Sequence, residues 1–104
     1  MLNKIIAIDY DDTISLNIDA WKQIIKLFHS FGAIIYVVTY RESTRFDDMI
    51  LDIPYVRDFI FTNANGKKKY CEDVVGIEAD IWIDDSPESI VFDYKELIEN
   101  MKIK

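Results

Sequence analysis

Short apolar runs that stop at polar or acidic side chains constrain this chain most. Ile5, Ile6, Ala7 and Ile8 form an unbroken run, and Asp9, Asp11 and Asp12 follow it directly. A run of this length without alternation reads as a strand buried on both faces of a parallel sheet. In open α/β sheets, ligands bind just beyond the carboxyl ends of the strands. The three aspartates therefore stand where chemistry is usually done.

The pattern repeats along the chain. Ile34 to Val38 is a second continuous apolar run, ending in Thr39-Tyr40-Arg41-Glu42, and Ile81-Trp82-Ile83 is another, ending in Asp84-Asp85. Phe59, Ile60 and Phe61 supply a further strand, followed by the turn-rich Thr62-Asn63-Ala64-Asn65-Gly66. Between the first two strands, Asn17 or Asp19 can cap a helix carrying Trp21, Ile24, Ile25, Phe28 and Phe31 at helical spacing, with Gly32 as its stop and His29 as an exposed residue near its carboxyl end. Ser43 or Thr44 opens a short helix with Phe46, Met49, Ile50 and Ile53 inward and the solvated Asp47 and Asp48 in its first turn, ended by Pro54. A helix from about Lys67 to Val75 is closed by Gly76. Ser86 and Pro87 begin another, and Asp93 can cap a last one with Tyr94, Leu97, Ile98 and Met101 on one face. Alternating strands and helices with short connections predict an α/β fold: a three-layer sandwich around a four-stranded parallel sheet ordered 4-1-2-3.

A chain of 104 residues fits one domain, 1–104, with no room for a second. Half of the residues are hydrophobic, 30% are charged, and the net charge of -7 argues against sequence-independent binding along a nucleic-acid backbone. The single cysteine, Cys71, excludes an internal disulfide and lacks the companions of a zinc site, which suits a reducing interior. Nothing resembles a signal peptide or a membrane span, and the amino terminus already belongs to the first strand. A cytoplasmic protein with no membrane partner is the expectation.

Parallel strands bring Asp9, Asp11, Thr39, Asp84 and Asp85 to one edge, with Lys67, Lys68 and Lys69 nearby. Four gathered carboxylates raise each other's pKa unless a cation sits among them, and hard oxygen ligands suit Mg²⁺, which also accepts a substrate phosphate. A carboxylate there can attack phosphorus, a second can protonate the leaving oxygen, and a hydroxyl and a lysine can hold the phosphoryl oxygens. Of the three lysines, Lys67 at the start of its helix is the expected one; the others read as solvated charges. Trp21 and Trp82 read as core, and Tyr40 as a substrate-facing ring.

Asp9-Tyr10-Asp11-Asp12-Thr13 after an apolar strand resembles the first motif, Asp-x-Asp-x-Thr, of the haloacid dehalogenase superfamily. Thr39 is similar to that family's second-motif Thr/Ser, a lysine among 67 to 69 to its third, and Asp84-Asp85 to its fourth. The resemblance therefore runs in order through nearly the whole chain. It implies Asp9 as nucleophile and metal ligand, Asp11 as general acid/base, Thr39 as a phosphate donor, and Asp84 and Asp85 as further Mg²⁺ ligands, with Asp11 and the Tyr10 carbonyl in the same set. Thr39-Tyr40-Arg41-Glu42 also resembles the second motif of small phage and bacterial members, including the phosphatase domain of polynucleotide kinase-phosphatases, which makes Arg41 a phosphate holder. Asp12 departs from the pattern, standing where the family commonly has glycine; aspartate tolerates a left-handed backbone, but it adds negative charge beside an incoming phosphate. The spacing from Thr13 to Thr39 and from Lys69 to the fourth strand leaves no room for a cap domain.

A receiver-type phosphoacceptor shares such a sheet, but there the acid pair follows the first strand and the acceptor the third, whereas here the pair follows the last strand. The expected function is Mg²⁺-dependent phosphomonoester hydrolysis through an aspartyl-phosphate at Asp9. An open site suits a large substrate, such as a nucleic-acid end or a phosphoprotein, or a small one such as a nucleotide covered by a second subunit of a homo-oligomer. The alternative is a catalytically weak module that keeps the cluster to bind phosphate or a protein.

Overall fold

The computed structural model describes residues 3–42 and 52–103, with side chains of the last helix through Glu99. The expected helix opened by Ser43 or Thr44, with Phe46, Asp47, Asp48, Met49 and Ile50, lies outside these residues, as does the Met101 side chain. Four strands, β1 (Ile5–Ile8), β2 (Ile34–Thr39), β3 (Val56–Phe61) and β4 (Ile81–Ile83), form one sheet in the order β3-β2-β1-β4 with every pair parallel. This is the expected order read from the other edge. The helices are α1 (Ile18–Ser30), α2 (Lys67–Tyr70), α3 (Glu88–Val91) and α4 (Tyr94–Ile103), with a 3-10 turn at Ile14–Leu16 and a wide π-type turn at Cys71–Val75 continuing α2.

Both faces of β1 are covered, which is why its sequence shows no alternation. Ile6 and Ile8 join Ile14, Ile25, Ile35, Val37 and Ile53 in a core on the α1 side, where Trp21 and Phe28 also pack. Ala7 faces the other way, into a second core with Val38, Ile60 and Cys71 that Tyr70 and Trp82 flank. Ile25 is fully buried at the centre of α1, so truncating it to alanine is expected to cost about 2–5 kcal/mol. Among the described residues no helix is long and apolar enough to cross a membrane.

Local signals account for most boundaries. The Asn17 side chain accepts from the Ala20 N–H at 3.1 Å and caps α1. Gly76 ends the α2 turn in the left-handed region, φ 84°, where a Cβ would be strained. Three expectations shift. Strand β3 starts at Val56 rather than Phe59, and its exposed Arg57 and Asp58 hide it from an apolar-run reading. Phe31 lies past the end of α1 and is exposed instead of joining its inner face. Ser86 does not cap α3; Pro87 takes the cap position, and the Ser86 N–H is bound by the Asp84 carboxylate at 2.9 Å.

Candidate active site

Ladder hydrogen bonds carry the parallel strands level with one another to the edge of the sheet. The Asp9 N–H donates to the Ile83 carbonyl at 2.9 Å, and the Thr62 N–H to the Thr39 carbonyl at 2.9 Å. Asp9 thus leaves β1 beside Asp84 leaving β4, and Thr39 leaves β2 beside Thr62. The chain turns sharply after Asp9. Asp12 takes φ 59°, and its N–H is bound by Ser15 Oγ at 2.9 Å, so the left-handed turn forms with aspartate in place of glycine.

Lys67 is the centre of the site. Its Nζ donates to Asp9 Oδ1 at 2.8 Å and to Asp84 Oδ2 at 2.5 Å, and all three side chains are at least nine-tenths buried. A buried cation shared by two buried carboxylates is stable only as a set, since removing one member strands charge in a poorly solvated place. Lys68 and Lys69 are exposed, so the structure brings in the one lysine of the run that begins α2. Gly66, immediately before it, is buried, and a Cβ there would come within 3.0 Å of the Val91 carbonyl oxygen. That close approach lets α2 enter beneath α3.

Asp9, Asp84 and Asp85 each offer a carboxylate oxygen, and these atoms lie within 4.8 Å of one another. The trio can hold a metal ion. The Lys67 ammonium pairs with Asp9 and Asp84, and Asp85 adds a third carboxylate beside them, so negative charge is in excess. Burial pushes the Asp9 carboxyl up to about 7; the hydrogen bond and charge of Lys67 oppose the rise, while Asp85 and Asp84 add to it. A cluster of hard oxygen donors with excess negative charge fits a divalent cation.

Asp11, expected in the same ligand set, is not part of this trio. Arg41 holds its carboxylate by two prongs, Nε to Oδ2 at 3.0 Å and Nη2 to Oδ1 at 2.7 Å. The Tyr10 carbonyl, also expected as a ligand, accepts the Thr13 N–H at 3.3 Å and the Ser15 N–H at 2.9 Å within the turn. Thr39 is fully buried; its Oγ1 accepts the Arg41 N–H at 3.3 Å and lies 3.5 Å from Asp11 Oδ2. The Tyr40 ring stands over Lys67 Nζ at 5.5 Å, and its hydroxyl donates to the Phe92 carbonyl. Burial, with the charges of Asp93, Asp84 and Glu96, pushes that hydroxyl up to about 12 and keeps it a donor.

Two buried hydroxyls supplement the residues expected from sequence. Thr13 Oγ1 lies 3.4 Å from both Asp9 Oδ2 and Asp85 Oδ1, and Ser89 Oγ lies 3.2 Å from Asp84 Oδ2 and 2.7 Å from the Ser86 carbonyl. Thr13 carries a signal, its fixed place after the aspartates; Ser89, inside a short helix, carries none. Above these groups opens a cleft of about 270 Å³, lined by the acidic cluster, Lys67 and Tyr40, and also by Tyr94 and Leu97, which the sequence places together on one face of the last helix. Comparison with protein-family models, with curated proteins and with solved structures finds no match, so the chemistry of this cleft rests on its own residues.

Proposed function

We propose that the protein is a phosphomonoesterase that works through an aspartyl-phosphate on Asp9 with Mg²⁺ bound at the trio. The observation that carries this reading is the bridge from Lys67 Nζ to Asp9 and Asp84, with Asp85 completing the trio at the carboxyl edge of the sheet. Nucleophile, cation and metal ligands from separate chain segments meet at one point. The fold that goes with this reading is a three-layer, Rossmann-like sandwich of haloacid dehalogenase type without a cap domain.

Asp9, Asp84 and Asp85 would hold the ion, which supplies charge neutralisation for the incoming phosphate dianion. An Asp9 carboxylate oxygen forms a bond to phosphorus as the ester P–O bond breaks, and the departing alkoxide takes a proton from Asp11. Water then attacks the phosphorus of the aspartyl-phosphate, gives its proton to Asp11 and returns the Asp9 carboxylate with inorganic phosphate. Lys67 and Arg41 hold phosphoryl oxygens as charge develops, and Thr39 and Tyr40 hold Arg41 and Lys67 in place. The second reading, a weak phosphate- or protein-binding module, draws support from the Arg41 fork, which occupies the proposed acid.

The test is turnover of a generic phosphate ester with Mg²⁺ by the wild type and Asp9→Asn. Hydrolysis by the wild type and its loss in a folded Asp9→Asn are expected. Wild-type rate in the variant overturns the mechanism, and no turnover by either leaves the binding module.

A further inference from the structure

One wall of the cleft has no part in the chemistry above. Of the large apolar side chains that stand exposed among the described residues, Tyr94 is the one that lines this cleft, about half of its surface open to solvent. Its ring meets Tyr40 edge-on, with centroids 6.4 Å apart, and Tyr40 is itself pinned between Lys67 and the Phe92 carbonyl. The backbone beneath Tyr94 is equally fixed. Its N–H donates to the Ala64 carbonyl at 2.8 Å, and the neighbouring Asp93 carboxylate accepts the Gly66 N–H at 2.6 Å. The same loop that delivers Lys67 therefore sets the position of the backbone from which the Tyr94 ring projects.

We infer that Tyr94 is a specificity residue that stacks on a planar ring in the organic part of the substrate, which makes the substrate class a ring-bearing phosphomonoester. The inference rests on the proposed phosphate site for its anchor. With the phosphoryl group at Lys67, the organic group extends along the cleft, and a flat π-face held at a fixed distance rewards a flat partner more than a flexible chain. Stacking on a tyrosine tolerates any aromatic ring, so a nucleoside monophosphate and an aryl phosphate share the recognised chemistry.

The experiment uses phenylphosphonate and methylphosphonate, whose C–P bonds resist hydrolysis, titrated calorimetrically into the full chain with Mg²⁺. Phenylphosphonate is expected to bind about tenfold tighter, the size of one stacking contact. Tyr94→Leu, which keeps apolar bulk and removes the π-face, is expected to bring the ratio of the two affinities close to one, and Tyr94→Phe to keep it, with circular dichroism showing both variants folded. Adenosine 5′-monophosphate and phosphotyrosine, titrated into Asp9→Asn, then distinguish a ring reached through a sugar from one bonded directly to the ester oxygen. Equal affinities in the wild type, a ratio unmoved by Tyr94→Leu, or no binding of either phosphonate overturns the inference. Binding needs no turnover, so a protein that selects phenylphosphonate through Tyr94 yet hydrolyses no ester loses the catalytic reading and keeps Tyr94 as the ring-recognising contact of a phosphate-ligand site.

Discussion

Arg41 grips Asp11, a lining residue of the cleft, with a forked ion pair, two nitrogens on two oxygens at 3.0 and 2.7 Å, while Arg41 itself lines a neighbouring depression with Tyr40, Glu42, Asn63 and Ala64. On the proposed function these residues have different duties, one holding phosphate and the other moving protons. Both oxygens of the Asp11 carboxylate are engaged by the guanidinium, so Asp11 must part from Arg41 before it can meet a leaving group. On that proposal a phosphate dianion would compete for the same donors, and substrate binding and release of Asp11 would be linked through one side chain.

That linkage makes Arg41→Lys a poor substitute. Lysine brings the charge but cannot fork, so neither the two-pronged grip on Asp11 nor a two-pronged grip on phosphate survives. The expected outcome is a fall in kcat/KM of about tenfold or more, with the melting temperature almost unchanged, because a partly exposed pair contributes about 0–1 kcal/mol to stability. Steady-state kinetics beside a thermal melt checks it; a lysine variant as active as wild type would show that point charge alone is needed.

Lys67 behaves differently because it is buried. Lys67→Met keeps the unbranched stem, one atom shorter, and removes the charge that Asp9 and Asp84 share. Breaking such a pair from one side is expected to cost about 3–5 kcal/mol in metal-free protein. Mg²⁺ should return part of that loss, since the ion brings positive charge to the same carboxylates. Thermal melts with and without Mg²⁺ decide it. A metal-free variant as stable as wild type would mean that the bridge contributes nothing to the fold.

The sequence made the strands and their acidic ends legible for one physical reason: a strand buried on both faces must be apolar at every position. Ile5–Ile8 and Ile34–Val38 announce themselves in this way. Strand β3 did so only in its second half, because an edge strand can leave Arg57 and Asp58 in water. The choice of Lys67 over its neighbours followed from its place at the helix start, and burial sets it apart. Arg41 on Asp11 and Tyr94 in the cleft were not legible. Both depend on how side chains meet across elements distant in sequence, and periodicity gives only the face of an element, not its partner.

A metal ion held at the trio would be linked to pH through Asp9. Its folded-state value of about 7 lies above the ordinary 3.8, so the folded protein binds this proton more tightly than the unfolded chain. The resulting stabilisation is complete below about pH 3.8 and is lost as pH rises through about 7. A metal ion at the trio needs the carboxylate and displaces the proton. The rise in melting temperature produced by Mg²⁺ is therefore expected to be larger at about pH 8 than at about pH 6. Asp9→Asn should flatten that difference. A Mg²⁺-induced shift independent of pH in the wild type would separate Asp9 from the metal site.

The duty of Asp11 is tested by the leaving group. If it protonates the departing oxygen, Asp11→Asn must slow an alkyl phosphate, whose alkoxide leaves poorly, far more than an activated aryl phosphate, whose phenolate needs little help. The gap is expected to reach about 10²-fold, the lower range for a positioned acid. Steady-state turnover would blur this, because on the proposed mechanism the same residue also activates water in the second step and both esters share one aspartyl-phosphate. Single-turnover formation of that intermediate isolates the first step. Equal slowing of both esters by Asp11→Asn would take the acid role away from Asp11 and leave it as the residue that holds Arg41 in place.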